Sequence, residues 1–240
     1  MIIELKRLWK QAFGDPDAFI DLFFCHGYSP ERCAHLSSEG RVAAVLYWFD
    51  CSLAGQKWAY LYAIATDETY RNQGLCRRLM AQTHRQLRNS GYAGAILVPG
   101  SKELFSFYEK LGYRTCCHVA EAAYPAGVAV SLRSVGQEEY AQLRKTLLPE
   151  GGMVQEGKTL DYLSAYARFY AGEGFVLAAT LDGSTAIVHE LLGCADGPEI
   201  AAALGVNTAR IRAPGKDKPF AMYYPLTDAP APSYFGLALD

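Results

Sequence analysis

Hydrophobic and polar positions follow two different periods along the first half of the chain. Apolar residues at helical spacing predict a helix over Ile3–Phe13 and a second over Asp17–Cys25. Between them, Gly14 is expected to end the first helix, and Asp15 and Pro16 to be the N-cap and first residue of the second. The later predicted elements are strands Cys33–Ser37, Arg41–Phe49 and Lys57–Ala65, helix Gly74–Ser90, strand Ala93–Val98, helix Lys102–Leu111 and strand Tyr113–Glu121.

A similar order returns after Ala122–Gly127, a segment that we interpret as a linker or a strand crossing. Asp182 and Gly183 form a strong turn signal between two strand patterns. The predicted elements are helices Glu138–Leu148 and Leu160–Tyr170, hairpin strands Phe175–Leu181 and Thr185–Leu192, helix Pro198–Leu204, and strands Thr208–Ala213, Phe220–Pro225 and Tyr234–Leu239. Because the order of helices, hairpin, helix and strand occurs twice, we expect an α/β chain with a degenerate internal duplication.

Composition narrows the classes of function. Of the 240 residues, 50% are hydrophobic and 20% are charged, which favours a globular protein over a disordered one. The formal net charge of -2 offers no basic field for nucleic acid. Apolar runs such as Val42–Phe49 are much shorter than the roughly 20 residues of a membrane span, so we expect no membrane partner. The first seven residues carry charges that would interrupt the apolar core of a secretory signal, so we do not expect them to form one.

The cysteines and histidines indicate neither a disulfide framework nor a metal site. There are seven cysteines, an odd number, and no CxxC pair occurs among them. The five histidines show no HxxxH spacing. We therefore expect reduced thiols in a cytoplasmic protein that binds no metal.

The segment Leu61–Met80 is the most informative about chemistry. A strand runs through the polar loop Thr66–Tyr70 into the start of an amphipathic helix. The unpaired N–H groups and the dipole of a helix N-terminus attract anions. Here Gly74 would let the backbone approach a phosphate, and Arg71 would add a charge-assisted contact. The pattern favours a phosphate or pyrophosphate site, although an ordinary helix start flanked by an arginine would look similar.

A second pattern follows at Tyr108–Tyr113, Tyr-Glu-Lys-Leu-Gly-Tyr. Together with Arg71-x-x-Gly74-x-Cys76, this sequence resembles the GNAT superfamily of acetyl-CoA-dependent N-acyltransferases. The first motif is similar to that family's pyrophosphate signature, and the second to its later tyrosine signature. The resemblance covers roughly residues 32–119, and the motifs occur in the family's order and spacing.

This resemblance implies a GNAT-like fold, a mixed and mostly antiparallel twisted sheet flanked by helices, in two lobes. Residues 1–122 would form the acetyl-CoA-binding lobe. Residues 123–240 would form a degenerate GNAT-like lobe without the pyrophosphate loop, as in relatives of the enhanced-intracellular-survival type. The second lobe would shape the acceptor pocket or provide a homodimer surface.

The resemblance also implies roles for particular residues. The backbone of Ile64, Ala65 and Thr66 would pair with the pantetheine arm like an added strand. Tyr108 would protonate the departing thiolate, the alternative being a core aromatic. Ser101 would contact the cofactor or cap the following helix. The amides that would hold the pyrophosphate belong to Arg71, Asn72, Gln73, Gly74, Leu75 and Cys76.

Two features depart from the family pattern. Cys76 stands where the family has Gly or Ala, so its thiol is either a packing group or a redox-sensitive one. The chain also starts almost inside its first helix, where the family usually has a strand before it.

The acceptor side carries no motif. An amine must lose a proton before it attacks, and candidates for the base are Glu68, His118, Tyr60, Tyr62, the terminal carboxylate of Asp240, and an ordered water chain. Aromatic residues on two neighbouring strands, Tyr47, Trp48, Phe49, Tyr60 and Tyr62, are mostly expected in the core, with one or two lining the acceptor cleft.

The resemblance implies an N-acetyltransferase that moves acetyl directly from acetyl-CoA to an amine, without a metal or a covalent enzyme intermediate. Small amines, amino acids, aminoglycosides and peptide N-termini all stay open as acceptors. The alternative is a non-catalytic acyl-CoA-binding or regulatory module. An unrelated nucleotide-phosphate binder has no support, because neither GxxxxGK[ST] nor GxGxxG occurs.

Overall fold

The computed structural model describes residues 1–239, so the candidate base at Asp240 lies outside the described residues. The chain divides into two compact units. The first contains Met1–Arg114 and Met222–Pro230, and the second contains Thr115–Ala221 and the residues from Ala231 onward. A C-terminal segment therefore belongs to the N-terminal unit. The assignment of cofactor binding to residues 1–122 stays a prediction.

The chain forms seven α-helices and twelve strands among its described residues. The helices are α1 Ile2–Phe13, α2 Asp17–Leu22, α3 Leu75–Asn89, α4 Lys102–Glu109, α5 Gln137–Leu147, α6 Lys158–Ser164 and α7 Gly197–Ala203. The strands are β1 Cys33–Ser38, β2 Arg41–Leu53, β3 Gln56–Thr66, β4 Gly94–Leu97, β5 Arg114–Pro125, β6 Arg133–Val135, β7 Val154–Gln155, β8 Arg168–Gly172, β9 Phe175–Asp182, β10 Thr185–Gly193, β11 Thr208–Pro214 and β12 Lys218–Pro225. A π-helical turn, Phe23–Gly27, continues α2, and a 3-10 turn, Glu68–Tyr70, follows β3.

The sheet of the first unit is mixed. Strands β1, β2 and β3 pair antiparallel in sequence order, and β3 then pairs parallel with β4. Helix α3 makes the crossover between the two parallel strands. The end of β12, Met222–Pro225, pairs antiparallel with β4.

Alternating side chains of β2 and β3 form two apolar clusters in this unit. On one side, Leu46, Trp48 and Leu61 pack in a core cluster with Leu79 and Met80 of α3. The opposite side is an aromatic cluster of α1, the Phe23 turn and the two strands, formed by Trp9, Phe23, Tyr47, Phe49, Tyr60 and Tyr62. The expectation of core aromatics on these strands is confirmed, and their side chains divide between the two clusters.

The second unit repeats the combination of antiparallel and parallel pairing. The hairpin β9–β10 is antiparallel, and β10 pairs parallel with β11 through the crossover helix α7. Strand β5 pairs antiparallel with β11, and β8 and β6 extend the sheet beyond β9. The pairing is thus mixed and mostly antiparallel, with flanking helices, which confirms the predicted architecture.

A buried polar network occupies the interior of the second unit. The Arg144 guanidinium donates to both oxygens of Glu190, from Nε at 2.6 Å and Nη2 at 3.1 Å, and both side chains are 1% exposed. Tyr234 donates its hydroxyl proton to Glu190, and Arg144 donates to the Gln155 side chain. Gln155 in turn donates to the Leu237 carbonyl. The network therefore anchors the C-terminal segment within this unit.

Several sequence predictions are wrong in detail. The predicted helix Leu160–Tyr170 ends at Ser164, and Arg168–Gly172 is a strand whose buried side chains alternate. Of the two interpretations of Ala122–Gly127, the linker is wrong and the strand is correct as far as Pro125, where β5 ends. The predicted strand Tyr234–Leu239 is buried but forms no ladder apart from an isolated bridge between Gly152 and Tyr234.

The predicted cap of α2 is also wrong. Pro16, and not Asp15, occupies the N-cap position. The Asp15 carboxylate instead accepts the indole N–H of Trp9 at 2.7 Å. The local pattern predicted that the Asp15 carboxylate would cap α2. The carboxylate is instead used as the acceptor for the N–H of a buried tryptophan.

Candidate functional site

The strand that the sequence predicts to hold the pantetheine arm carries a β-bulge. Tyr47 pairs with Tyr62 and Val45 with Ala65, so β3 has one extra residue over this interval. Ala63 adopts a left-handed conformation there, with φ 47°. One extra residue exchanges the two faces of a strand. Accordingly Ile64, which follows the bulge, packs against the same core cluster as Leu61.

Beyond the bulge, one edge of β3 has no partner strand among residues 1–239. Strand β4 pairs with β3 over Trp58–Tyr60 only, and β2 occupies the other edge as far as Thr66. Backbone groups of Ile64–Thr66 therefore face an open edge, which is the geometry that β-strand addition by an extended ligand requires.

The end of β3 is fixed by Asp67, which is 3% exposed. Its carboxylate accepts from the backbone N–H and hydroxyl of Thr69, at 3.0 and 2.7 Å, and from Arg7 of α1 at 2.8 Å. Burial alone would raise the pKa of Asp67, but the bonds from Thr69 and the Arg7 charge outweigh it and lower the pKa to about 2. The loop that follows thus begins at an anchored point.

Two left-handed residues lead from this loop into α3. Asn72 has φ 62° and Gly74 has φ 75°. Gly74 is the N-cap of a 15-residue helix and supplies no side-chain cap. A Cβ built on Gly74 would meet nothing within 4 Å, so the space in front of the helix is open. The first-turn N–H groups from Leu75 onward therefore point into open space, as an anion site requires.

Basic side chains surround this helix start. Arg71 donates from Nε to the Thr66 carbonyl at 3.3 Å, which leaves its terminal nitrogens beside the loop. Gln73 donates to the Thr69 carbonyl at 3.4 Å and so braces the turn. Arg77 and Arg78 are exposed in the first turn of α3. The site therefore combines main-chain donors with positive charge, which suits a pyrophosphate or phosphate group.

Tyr108 lies in the core cluster that Ile64, Leu75 and Cys76 also contact. It is 7% exposed, and burial raises its pKa. The phenol therefore stays protonated at neutral pH and is available as a hydrogen-bond donor. The structure thus brings the tyrosine of the second motif to the residues of the first.

A buried histidine, His84, contacts Tyr108 indirectly through Tyr113. The sequence analysis did not identify this residue. Tyr113 packs edge-on against Tyr108, with ring centroids 5.7 Å apart. The Tyr113 hydroxyl lies 2.8 Å from Nε2 of His84, and the His84 ring stacks on Tyr224 at 4.0 Å. Burial, and then the charge of Arg88, lower the pKa of His84 to about 4. The imidazole is therefore neutral at pH 7, and it shares a hydrogen bond with the Tyr113 hydroxyl.

Two other predicted site residues have plainer surroundings. Ser101 occupies the N-cap position of α4, but its hydroxyl makes no cap bond to the helix backbone. It is exposed and hydrogen-bonds the Glu103 side chain, which lowers the pKa of that carboxyl. Cys76 is half-buried, and burial raises its pKa to about 11, which is the behaviour of a packing thiol.

The candidate bases differ in placement. Glu68 is exposed in the turn after β3, and Tyr62 is half-buried in the aromatic cluster. Tyr60 is 3% exposed in the same cluster. His118 is exposed on β5, in the second unit. The structure gives no single one of them a geometry that singles it out as the base.

Residues that carry the site geometry but no motif are Arg7, Ala63, Asp67 and His84. A left-handed alanine inside a strand has no sequence signal, and the Arg7–Asp67 pair joins positions 60 residues apart. No group of three or more His, Cys, Asp or Glu side chains within residues 1–239 comes together as a metal site. None of the helices formed by those residues has the length and apolar character to cross a membrane.

Comparison with known proteins connects this geometry to a family. Residues 2–116 match the model of the acetyltransferase (GNAT) domain. No curated protein sequence is significantly similar to the chain.

Solved structures resemble the fold along nearly the whole chain. A GCN5-related N-acetyltransferase from Kribbella flavida is 15% identical with a TM-score of 0.69, covering 92% of this chain and 68% of its own. Eis1 from Mycobacterium abscessus is 12% identical with a TM-score of 0.66, covering 92% and 70%. A tandem GNAT protein from the clavulanic acid biosynthesis pathway is 11% identical with a TM-score of 0.54, covering 95% and 96%.

At these identities the structural likeness concerns the fold alone, whereas the domain match concerns the sequence itself. The matched residues include the bulged strand, the open helix start and the Tyr108 motif. Residues 2–116, a little under half of the chain, therefore form a GNAT acetyltransferase domain.

Proposed function

We propose that this protein transfers the acetyl group of acetyl-CoA directly to an amine. The observation that carries the proposal is the continuity of two features over eleven residues, from the open edge at Ile64–Thr66 to the uncapped start of α3 at Gly74. An extended chain that ends in a pyrophosphate fits both, the first through strand-like hydrogen bonds and the second through helix N–H groups.

The charge distribution favours a nucleotide thioester over a small acyl donor. Arg71, Arg77 and Arg78 lie together at the helix start and are exposed. Several phosphate groups would be matched by several cations, whereas an acyl phosphate needs only one or two. Coenzyme A, with its pyrophosphate and further phosphate, is the cosubstrate that this arrangement suits.

The chemistry proposed for the site is positioning followed by proton transfer. A backbone N–H of Ile64–Thr66 would polarise the thioester carbonyl as the amine attacks its carbon. As the bond from carbon to sulfur breaks, the Tyr108 hydroxyl would donate its proton to the departing sulfur. The amine proton would pass to one of the candidate bases or to water.

Calorimetric titration with acetyl-CoA tests the cosubstrate part. Arg77→Glu places a negative charge in the first turn of α3, and we expect the dissociation constant to rise at least tenfold. Arg85→Glu is the matched control, because it makes the same change on an exposed position about 12 Å farther along the same helix. Absence of binding by the wild-type protein, or equal effects of the two variants, would contradict the proposed site.

Tyr108→Phe tests the chemistry separately. We expect acetyl-CoA binding to persist while turnover, read as thiol release with a panel of small amines, amino acids, aminoglycosides and peptide N-termini, falls about 100-fold. Slow hydrolysis of acetyl-CoA serves as the readout if no amine is accepted. Tyr113→Phe removes a neighbouring hydroxyl that bonds His84 and should spare turnover. Unchanged turnover in Tyr108→Phe would show that Tyr108 is not the acid. If the wild-type protein binds acetyl-CoA but shows no turnover, it is a non-catalytic acyl-CoA-binding module.

A further inference from the structure

Two adjacent cysteines in the second unit bring their sulfur atoms together. The Sγ atoms of Cys116 and Cys117 are 3.3 Å apart. In a regular strand, neighbouring side chains point to opposite faces. Here the thiols share one location, where Cys117 is fully buried and Cys116 is half-buried.

Both thiols also hold neighbouring backbone. Cys116 donates to the Ala221 carbonyl at 3.5 Å, and Cys117 donates to the Pro232 carbonyl at 3.7 Å. All four residues belong to the second unit. Ala221 and Pro232 lie just before and just after the segment Met222–Pro230, which belongs to the first unit. The two cysteines therefore bind the chain on both sides of that segment.

We propose that Cys116 and Cys117 are a redox-sensitive pair that closes to a vicinal disulfide on reaction with hydrogen peroxide. The Cys116 sulfur attacks the peroxide, the O–O bond breaks, and Cys116 becomes a sulfenic acid as water leaves. The Cys117 sulfur then attacks Cys116, the S–S bond forms and the S–O bond breaks, releasing a second water. Two thiols are oxidised by two electrons, and hydrogen peroxide is reduced to two molecules of water.

The surroundings of the two thiols set this order. Cys116 is the accessible one, so it meets the oxidant first. The contact with the Cys116 thiol, and then burial, raise the pKa of Cys117, which makes it the slower nucleophile toward an external oxidant. Its sulfur is nevertheless already beside the one it must attack.

A bond between neighbouring cysteines is suited to reversal. Adjacent Cα atoms are about 3.8 Å apart, below the usual 4.4–6.8 Å of disulfides. Strained disulfides are the labile and regulatory ones. Oxidation also removes both thiol protons, so the carbonyls of Ala221 and Pro232 lose their donors. We expect the segment that begins at Ala231 to loosen in the oxidised protein.

Mass spectrometry after peroxide treatment tests the proposal on the full chain. The exposed Cys25 and Cys194 are first replaced by serine to prevent intermolecular products. We expect the loss of two hydrogens, located by fragmentation to the peptide that holds Cys116 and Cys117, and its recovery with a phosphine reductant. Cys116→Ser in the same background should abolish that loss. Sulfinic acid at Cys116 without the two-hydrogen loss, or a loss located at another pair, would overturn the proposal.

A second pair of measurements tests the order and the consequence. In Cys117→Ser the sulfenic acid at Cys116 has no resolving partner, so dimedone should trap it there, and labelling elsewhere alone would contradict the order. Hydrogen exchange of the segment after Ala231 should be at least several-fold faster in the oxidised than in the reduced protein. Equal exchange rates would show that the thiols do not hold that segment.

Discussion

Each unit contains an antiparallel hairpin whose second strand has a bulge and leads through a helix into a parallel strand. In the first unit the bulge is at Ala63 and the helix is α3; in the second, His189 is the extra residue and the helix is α7. The two helix starts nevertheless differ. That of α3 is open in front of Gly74, whereas Gly197 of α7 is packed so closely that an added Cβ would lie 2.3 Å from the Tyr124 ring.

The second helix start also has one N–H donor fewer. Pro198, the second residue of α7, has no N–H, and its carbonyl accepts the Gly127 N–H at 2.9 Å. With seven residues, α7 is less than half as long as the 15-residue α3. The comparison teaches that this strand-to-helix plan does not itself make an anion site. The site depends on free N–H groups and on empty space before them.

Polar groups are used differently in the two units. The first unit keeps small buried polar anchors, Asp67 with Arg7 and His84 with Tyr113, beneath a loop whose own donors stay open. The second unit joins Arg144, Glu190, Gln155 and Tyr234 into one buried network. We therefore expect substitutions in the second unit to act on stability alone, and substitutions around α3 to act on binding as well.

The largest effect is expected from Glu190→Gln. It leaves the Arg144 charge buried without its counter-ion, which costs about 3–5 kcal/mol of unfolding free energy. Urea unfolding measures the change. Glu139→Gln breaks an exposed pair with Arg133 in the same unit and should leave the unfolding midpoint nearly unchanged. Similar effects of the two substitutions would mean that burial of the network contributes little.

Acid sensitivity should come next, through His84 in the first unit. Because its pKa is lowered from 6.5 to about 4, its contribution to stability is complete above pH 6.5 and is lost as the pH falls toward 4. The loss corresponds to roughly 3 kcal/mol. In His84→Gln, the unfolding free energies measured at pH 7 and at pH 4.5 should become nearly equal. In Tyr113→Phe, the protein should be less stable, but its unfolding free energy should fall between these two pH values by as much as in the wild type. A wild-type slope in His84→Gln would exclude His84 as the source.

The third effect is the contribution of Asp67 to stability, which is lost at a lower pH than that of His84. Replacing Asp67 should also change acetyl-CoA binding. Its pKa is lowered to about 2, so its contribution is present above about pH 4 and disappears as the pH falls to 2. Asp67→Asn should lose about 2 kcal/mol at pH 7 and flatten the acid limb of the stability profile. It should also weaken acetyl-CoA binding several-fold, because an amide group in place of Oδ2 cannot accept from Arg7 and the loop loses its bond to α1. Glu4→Gln, which leaves the bond between Arg7 and Asp67 intact, is the control for both readouts.

The open helix start was predictable from sequence because its causes are local. Gly74, Arg71 and the apolar period of α3 are contiguous, and the tyrosine motif begins eleven residues after the end of the next strand. The fold class and most elements of the first unit follow from the same kind of signal. In these elements, the residues whose spacing gives the sequence signal are the same residues that form the helix or strand.

The remaining features depend on partners distant in sequence. Leu160, Leu163, Ala167 and Tyr170 have helical spacing, yet Phe169 and Ala171 alternate inward and pair with β9, so sheet pairing overrides the helical period. The segment Tyr234–Leu239 is buried as its apolar run suggested, but its backbone bonds go to side chains and isolated neighbours. No local pattern shows that Met222–Pro225 pairs with β4.

The smallest change in stability, and the most direct test of the comparison, comes from placing one methyl group at three glycines. Gly74→Ala and Gly91→Ala strain similar left-handed residues at opposite ends of α3, with open space at both, and each should lose about 1 kcal/mol. Only Gly74→Ala should also weaken acetyl-CoA binding, by at least tenfold in calorimetry, because its methyl group occupies the space before the N–H groups. Gly197→Ala should lose somewhat more stability, since its methyl group meets the Tyr124 ring, and should leave acetyl-CoA affinity unchanged. Weakened binding in Gly197→Ala would mean that the second helix start takes part in the site, and the contrast between the two starts would then fail.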